Sequence, residues 1–161
     1  MAGNVKVNDN RLRTFRKRLK SLKGLSVTVG VQGDMAQEEH PEGAMTMATL
    51  AAIHEFGSED GRHPPARSFL RSTFDENVRK YDQLMLKGAQ KVEKGRAVAK
   101  AVMFQLGETV RADIIKKIKA GIPPPLSQVT IDRKGSSVPL IDKGHLIGSI
   151  TSVVHEGGKS K

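Results

Sequence analysis

His54 and Glu55 stand side by side in the run IHEFG, and a His-Glu pair is how the zinc-protease pattern HExxH begins. That chemistry needs a second imidazole one helical turn later so that two ring nitrogens meet one metal, and position 58 is Ser58. The motif is therefore half present. His40, His63, His145 and His155 are scattered through predicted loops or ends, and Asp142 with His145 has no third ligand at a metal-binding spacing. The carboxylate pairs Glu38 with Glu39 and Glu59 with Asp60 fall in polar loops, where nothing implies the burial that tunes an acid or base. No GxxxxGK[ST] stretch is present, and the Gly-rich stretches lack the strand-to-helix context of a nucleotide cradle. With no Cys there is no thiolate nucleophile, no thiolate metal site and no disulfide. The residues thus lead to the expectation of a protein that is not an enzyme and holds no cofactor and no metal. A hydrolase using His54 and Glu55 is the alternative in the catalytic class.

Binding chemistry is better represented. The chain carries 27 Lys and Arg against 17 Asp and Glu, a formal net charge of +10. The excess is uneven, since Lys6, Arg11, Arg13, Arg16, Lys17, Arg18, Lys20 and Lys23 oppose only Asp9 in the first segment. Such a balance suits nucleic acid, anionic lipid or an acidic protein surface, and it bears on association more than on fold. Arg11, Arg13, Arg16, Lys17, Lys20 and Lys23 are the candidate DNA-facing residues, the ordinary reading being a solvated helix face. Phe15 belongs to the apolar side of the same helix, so no aromatic is left to stack on unpaired bases. Nonspecific contact with a duplex backbone fits that face better than sequence readout. Arg67 and Arg71, four residues apart, read as two cations sharing one face of a helix start at a loop edge. They would either pair locally with Glu55, Glu59 or Asp75 or serve a subunit contact.

The elements that must position these groups follow from periodicity and breakers. At 161 residues the chain is about one domain by length. Aromatics make up 4% with no Trp, so the core must come from Val, Ile, Leu, Met and Ala, and the fold should be helix-rich. Leu12, Phe15, Leu19 and Leu22 recur at spacings of three and four, which predicts an amphipathic helix over Arg11–Lys23, stopped by Gly24. Leu25, Val27, Val29 and Val31 alternate with smaller or polar residues as a half-buried strand. Gln32 to Thr46 is acidic and aperiodic and reads as a loop, with Thr46 able to cap a short helix that Gly57 ends. Pro64 and Pro65 place the start of a long helix near Arg67 or Ser68, with Gly88 and Gly95 allowing a break. A second long helix runs through Val102, Leu106, Val110, Ile114 and Ile118 to Gly121 and three prolines. Two strand candidates, Gln128–Asp132 and His145–Val154, close the chain.

The expected architecture is α+β: a small antiparallel or mixed sheet packed by two long helices, with an N-terminal amphipathic helix. The expected organisation is a basic helical segment over 1–24, a core over 25–154 and a flexible tail over 155–161. The segment MAGNVKVNDN has no signal-peptide apolar core, and the apolar run Met47–Ile53 is too short to span a bilayer, so cytoplasmic assembly and no membrane partner are expected.

Two blocks in this order, AAIHEFGSEDGRHPPARSFLRSTF and PLIDKGHLIGSITSVV, resemble the tail-completion and virion-morphogenesis proteins of tailed bacteriophages. The first is similar to that family's helix ending in His-Glu-Phe-Gly, a variable loop, then Pro-Ala-Arg and Phe-Leu-Arg entering a long helix. The second is similar to its late Leu-Ile-Asp-x-Gly-x-Leu followed by Ser-Ile and a strand. With the strand Val27–Val31, the likeness covers most of Leu25–Val154. Ser68 departs from it, where many relatives have a second proline, and so does Lys143, where Thr or Ser is more usual. The resemblance implies a structural subunit of the virion neck, assembled in the host cytoplasm. It would form a ring, hexameric in kind, between the head connector or portal-side proteins and the tail tube protein, around double-stranded DNA. Tail terminator, completion protein and neck adaptor share these motifs. On that reading Glu55, Phe56, Arg67, Phe69 and Arg71 form the subunit interface. The alternative is a nonspecific double-stranded DNA-binding accessory protein.

Overall fold

The computed structural model describes residues 9–39, 45–57, 65–126, 131–132, 140 and 144–157. Helix α1 (Asp9–Leu22) ends before Gly24, whose φ of 102° turns the chain directly into strand β1 (Leu25–Val31). β1 pairs antiparallel with the last strand, β2 (Ile150–Glu156), in a register running from Leu25 opposite Glu156 to Val31 opposite Ile150. Between them lie four further helices among the described residues: α2 (Asp34–Gln37), α3 (Met47–Phe56), α4 (Arg71–Glu93) and α5 (Ala99–Ala120); α6 (His145–Ser149) leads into β2. The architecture is α+β, with an N-terminal helix and a layer of two long helices on a two-stranded antiparallel sheet.

Because strand side chains alternate, the sheet has two chemically different faces. Leu25, Val27, Val29 and Val31 share a face with Ile150, Ser152 and Val154, and α5 lies on it. Gly107 is the point of closest approach: a Cβ there would stand 2.7 Å from Val27 Cγ2 and 3.0 Å from Ser152 Cβ. The other face is polar, with Thr28 Oγ1 2.9 Å from His155 Nε2 and donating to Gln32 Oε1 at 2.6 Å. α4 runs along α5, and α1 packs against both. Met47, Ala51, Phe69, Ile114, Ile118, Leu146 and Ile150 meet in one core, where Phe69, Ile118 and Ile150 are wholly buried. Arg111 reaches from α5 to donate to the Ile150 carbonyl at 2.7 Å, anchoring the start of β2.

Local signals end α3 where expected. The Thr46 hydroxyl accepts from the Thr49 amide at 3.2 Å, and Gly57, with φ 78°, donates to the Ile53 carbonyl at 2.8 Å. Several expectations are corrected. The segment after β1 is not all loop, since α2 forms in it and Glu39 bridges Thr46. The long helix begins at Arg71, not at Arg67 or Ser68, because Ser68–Leu70 are held by a side chain from α3. It also passes Gly88 unbroken, because that glycine serves helix packing: a Cβ there would fall 2.2 Å from Val102 Cγ1. His145–Ser149 is helical, not strand, and buries Leu146 in the core, while β2 continues to Glu156. Most of the Gln128–Asp132 candidate lies outside the described residues; Ile131 and Asp132 are helical.

Candidate functional site: assembly and nucleic-acid surfaces

The His-Glu-Phe-Gly and Pro-Ala-Arg-Ser-Phe-Leu-Arg segments meet face to face, and the group joining them is Glu55. Its side chain leaves the last turn of α3, is 4% exposed, and lies across the N-terminus of α4. One carboxylate oxygen accepts from the Phe69 and Leu70 amides at 2.8 and 2.9 Å; the other accepts from the Arg71 amide at 3.1 Å and the Ser68 hydroxyl at 2.6 Å. Those amides are among the donors that a helix start leaves unpaired, and a carboxylate there also faces the positive end of the helix dipole. Burial pushes the Glu55 carboxyl up, but the Ser68 hydroxyl and the Leu70, Arg71 and Phe69 amides together hold it below its ordinary value. With four donors bound, the Glu55 carboxylate caps the start of α4. Ser68, the position at which the resembled pattern carries proline, also accepts from the Ser72 amide at 3.2 Å, so its hydroxyl links cap and helix.

Arg67 is the second buried charge, at 4% exposure. Its Nε and Nη2 donate to the Pro124 carbonyl at 3.0 and 2.8 Å, clamping the segment before α4 onto the proline stretch that follows α5. Its amide donates to the His54 carbonyl at 2.7 Å. Burial lowers the guanidinium from its ordinary value, which leaves it cationic. The expected pairing of Arg67 and Arg71 on one helix face is therefore corrected: Arg67 precedes α4 and points inward, and Arg71 is exposed in its first turn. Neither forms an ion pair with Glu55 or Asp75 among the described residues; Glu59 lies outside them. Of the five interface candidates, Glu55, Arg67 and Phe69 are spent inside the protomer. Phe56, at the end of α3, and Arg71, in the first turn of α4, are at the surface, and Phe74 and Val78 are exposed on the next turns of α4.

The DNA-facing candidates Arg11, Arg13, Arg16, Lys17, Lys20 and Lys23 are all exposed along α1 and the turn after it. Arg18, in the same cationic run, turns inward and donates to the Glu93 carbonyl at 3.2 Å. Helix α1 does not bury its apolar side fully, since Phe15 and Leu19 are 39% and 40% exposed. Where α1 ends, a groove of about 750 Å³ opens between α1, the start of β1 and the turn joining α4 to α5. His40, His63, Glu59, Asp60 and Asp142 lie outside the described residues. Among the described residues no cluster of His, Cys, Asp or Glu could hold a metal ion, and no helix is long and apolar enough to cross a membrane.

Sequence reasoning missed the polar ties between distant elements. Asp113 accepts from Lys80 at 2.6 Å and from the Tyr81 hydroxyl at 3.0 Å, joining α4 to α5; burial first, then Asp113, raises the Tyr81 phenol above its ordinary value. Glu108 accepts from the Ser152 hydroxyl and pairs with Arg111 at 3.2 Å, joining α5 to β2. Only the i, i+3 spacing of Glu108 and Arg111 is a local signal; Asp113 is far along the chain from Lys80 and Tyr81, and Ser152 from Glu108. Comparison with protein-family models, with curated proteins and with solved structures gave no match to this chain.

Proposed function

We propose that this chain is a structural subunit of a tailed-phage virion, forming a ring in the neck that joins the head connector to the tail and surrounds double-stranded DNA. It works by assembly with copies of itself, with portal-side neck proteins and with the tail tube protein, and catalyses nothing. The observation that carries the reading is the placement of phenylalanine. Of five, only Phe69 is buried; Phe15, Phe56, Phe74 and Phe104 are 39%, 70%, 51% and 56% exposed. Val98, Leu86 and Val78 add further exposed apolar surface at 70%, 61% and 38%. Phenylalanines left in water by a chain so poor in aromatics are surface available to partners, and this supports the reading. The motif residues support the same reading from behind, because Glu55 and Arg67 hold rigid the junction that displays Phe56, Arg71 and Phe74.

The test is mass. In concentrated solution the protein should sediment as a closed oligomer, near six chains of 17.5 kDa each, or join purified connector or tail proteins. A monomer that also ignores those proteins sinks the reading. A second reading, a free DNA-binding accessory protein, is favoured by one observation: the exposed cationic side of α1. It requires the monomer to bind duplex tightly, with affinity falling steeply as salt rises, which filter binding at two salt concentrations measures.

A further inference from the structure

The groove at the end of α1 is basic, and the opposite end of the same sheet is acidic. Arg18, Lys20, Lys23 and Lys100 line the groove, with Glu156 the one acidic lining residue among the described residues and Val98 offering an apolar wall that is 70% exposed. Lys100 is engaged by Glu156 at 2.8 Å and Arg18 by the Glu93 carbonyl, so Lys20 and Lys23 are the cations left to face a ligand. The complementary feature lies past the far end of β1. From Gln32 to Thr46 the sequence has Asp34, Glu38, Glu39 and Glu42 and no Lys or Arg. Asp34, Glu38 and Glu39 are exposed and make no ion pair among the described residues, and Met35 and Ala36 between them are half-buried.

Leu25 lines the groove and Val31 leads toward α2, so the seven residues of β1 separate the two features. At ~3.3 Å per residue that is about 20 Å, too far for the acidic segment to enter its own groove. We infer that the groove receives the Asp34–Glu39 segment of a second copy of this chain, its carboxylates on Lys20 and Lys23 and its Met35 against the Val98 wall. Each subunit then uses one end as donor and the other as acceptor, a heterologous contact that repeats around an axis and makes a ring where its rotation closes. The inference rests on the ring reading above and supplies one of the contacts that build it. It also withdraws Lys20 and Lys23 from the duplex-facing set and leaves Arg11, Arg13, Arg16 and Lys17 to the DNA.

Two charge-reversed full-length proteins test this: a groove variant, Lys20→Glu with Lys23→Glu, and an acid variant, Glu38→Lys with Glu39→Lys. All four positions are exposed, so both variants should keep the wild-type circular dichroism and melting temperature. Each alone should self-associate roughly a hundredfold more weakly than wild type, since like charges then face each other. Mixed in equal amounts they should regain the wild-type mass with the two chains alternating, because every contact is then either native or doubly reversed. Wild-type salt dependence gives an independent measure, and the oligomer should loosen between low and high salt. If the wild type assembles and either variant assembles as well as it does, or if the mixture fails to recover, the contact is wrong while the ring stands. If the groove variant keeps its mass but loses duplex binding, the groove belongs to phosphate and the inference is overturned. A wild type that never assembles overturns both.

Discussion

At the scale of single residues, Glu55 carries the most testable chemistry. Its folded-state carboxyl lies below the ordinary 4.5. A group depressed in the folded state contributes stability above its unfolded value and loses it as pH falls through the folded one. The Glu55 contribution is thus complete at neutral pH and disappears on acidification below that range. Glu55→Gln puts an amide nitrogen where an oxygen now accepts from backbone donors and should destabilise the protein at pH 7 by roughly 2–3 kcal/mol. The gap from wild type should narrow as pH falls below about 4.5, where the wild-type carboxyl also takes up a proton. Urea unfolding across that range reads it, and a pH-independent gap would mean that the cap is not ionised. The sequence displays Glu55 as half of a metal motif, as an ion-pair partner for Arg67 or Arg71 and as an interface residue, but not as a helix cap. Its donors lie 13 to 16 residues later, across a proline-rich connection, and no local pattern reveals where that connection returns. Arg67 was visible as a cation but not as a buried one, because its acceptor, the Pro124 carbonyl, is 57 residues away.

At the scale of elements, what was legible was whatever local chemistry decides. Alternation made β1 plain, Thr46 and Gly57 bounded α3, and Gly121 with its prolines ended α5. What escaped was decided by tertiary contact. Gly144, at φ 78°, starts a five-residue helix that exists because Leu146 and Ser149 are buried, and His145–Val154 reads equally well as one strand. Gly88 is the sharper case, since helix propensity makes glycine a weak point, yet here it lets α4 and α5 touch. Gly88→Ala gains about 1 kcal/mol of helix propensity. It also drives a Cβ into the Val102 side chain, and overpacking of this kind costs about 1–3 kcal/mol, so the variant should be net destabilised. Adding Val102→Ala should recover part of the loss, so that the double variant is more stable than the two single effects summed. A denaturation cycle over the four proteins measures that coupling. Additive effects, or a stabilised Gly88→Ala, would show that the two helices do not meet there.

At the scale of the whole molecule, the issue is why a chain with so few aromatic residues leaves Phe74 and Phe104 more than half exposed. In a monomer such residues contribute modestly to folding: exchanging Phe104 for a polar residue changes stability by only about 0.5 kcal/mol either way, and the ring of Phe74, 5.9 Å from that of Tyr81, adds about 0.5–1.5 kcal/mol. In an assembling subunit the same exchange removes contact area that only the oligomer buries. Phe74→Ser combined with Phe104→Ser should therefore leave the dilute protein folded, with a melting temperature lowered only by the lost Phe74–Tyr81 ring contact, and lower the mass observed at high concentration. Wild-type melting temperature should climb with protein concentration, because assembly stabilises the folded state by mass action, and the double variant should lose that climb. The pairing of these two measurements separates assembly from folding: a variant that melts far below wild type at every concentration has lost its core, whereas one that melts close to dilute wild type and fails to gain on concentration has lost its partners. An unchanged concentration dependence would return Phe74 and Phe104 to the ordinary apolar surface of a monomer. That would leave the cationic side of α1 as the feature with a claim to function.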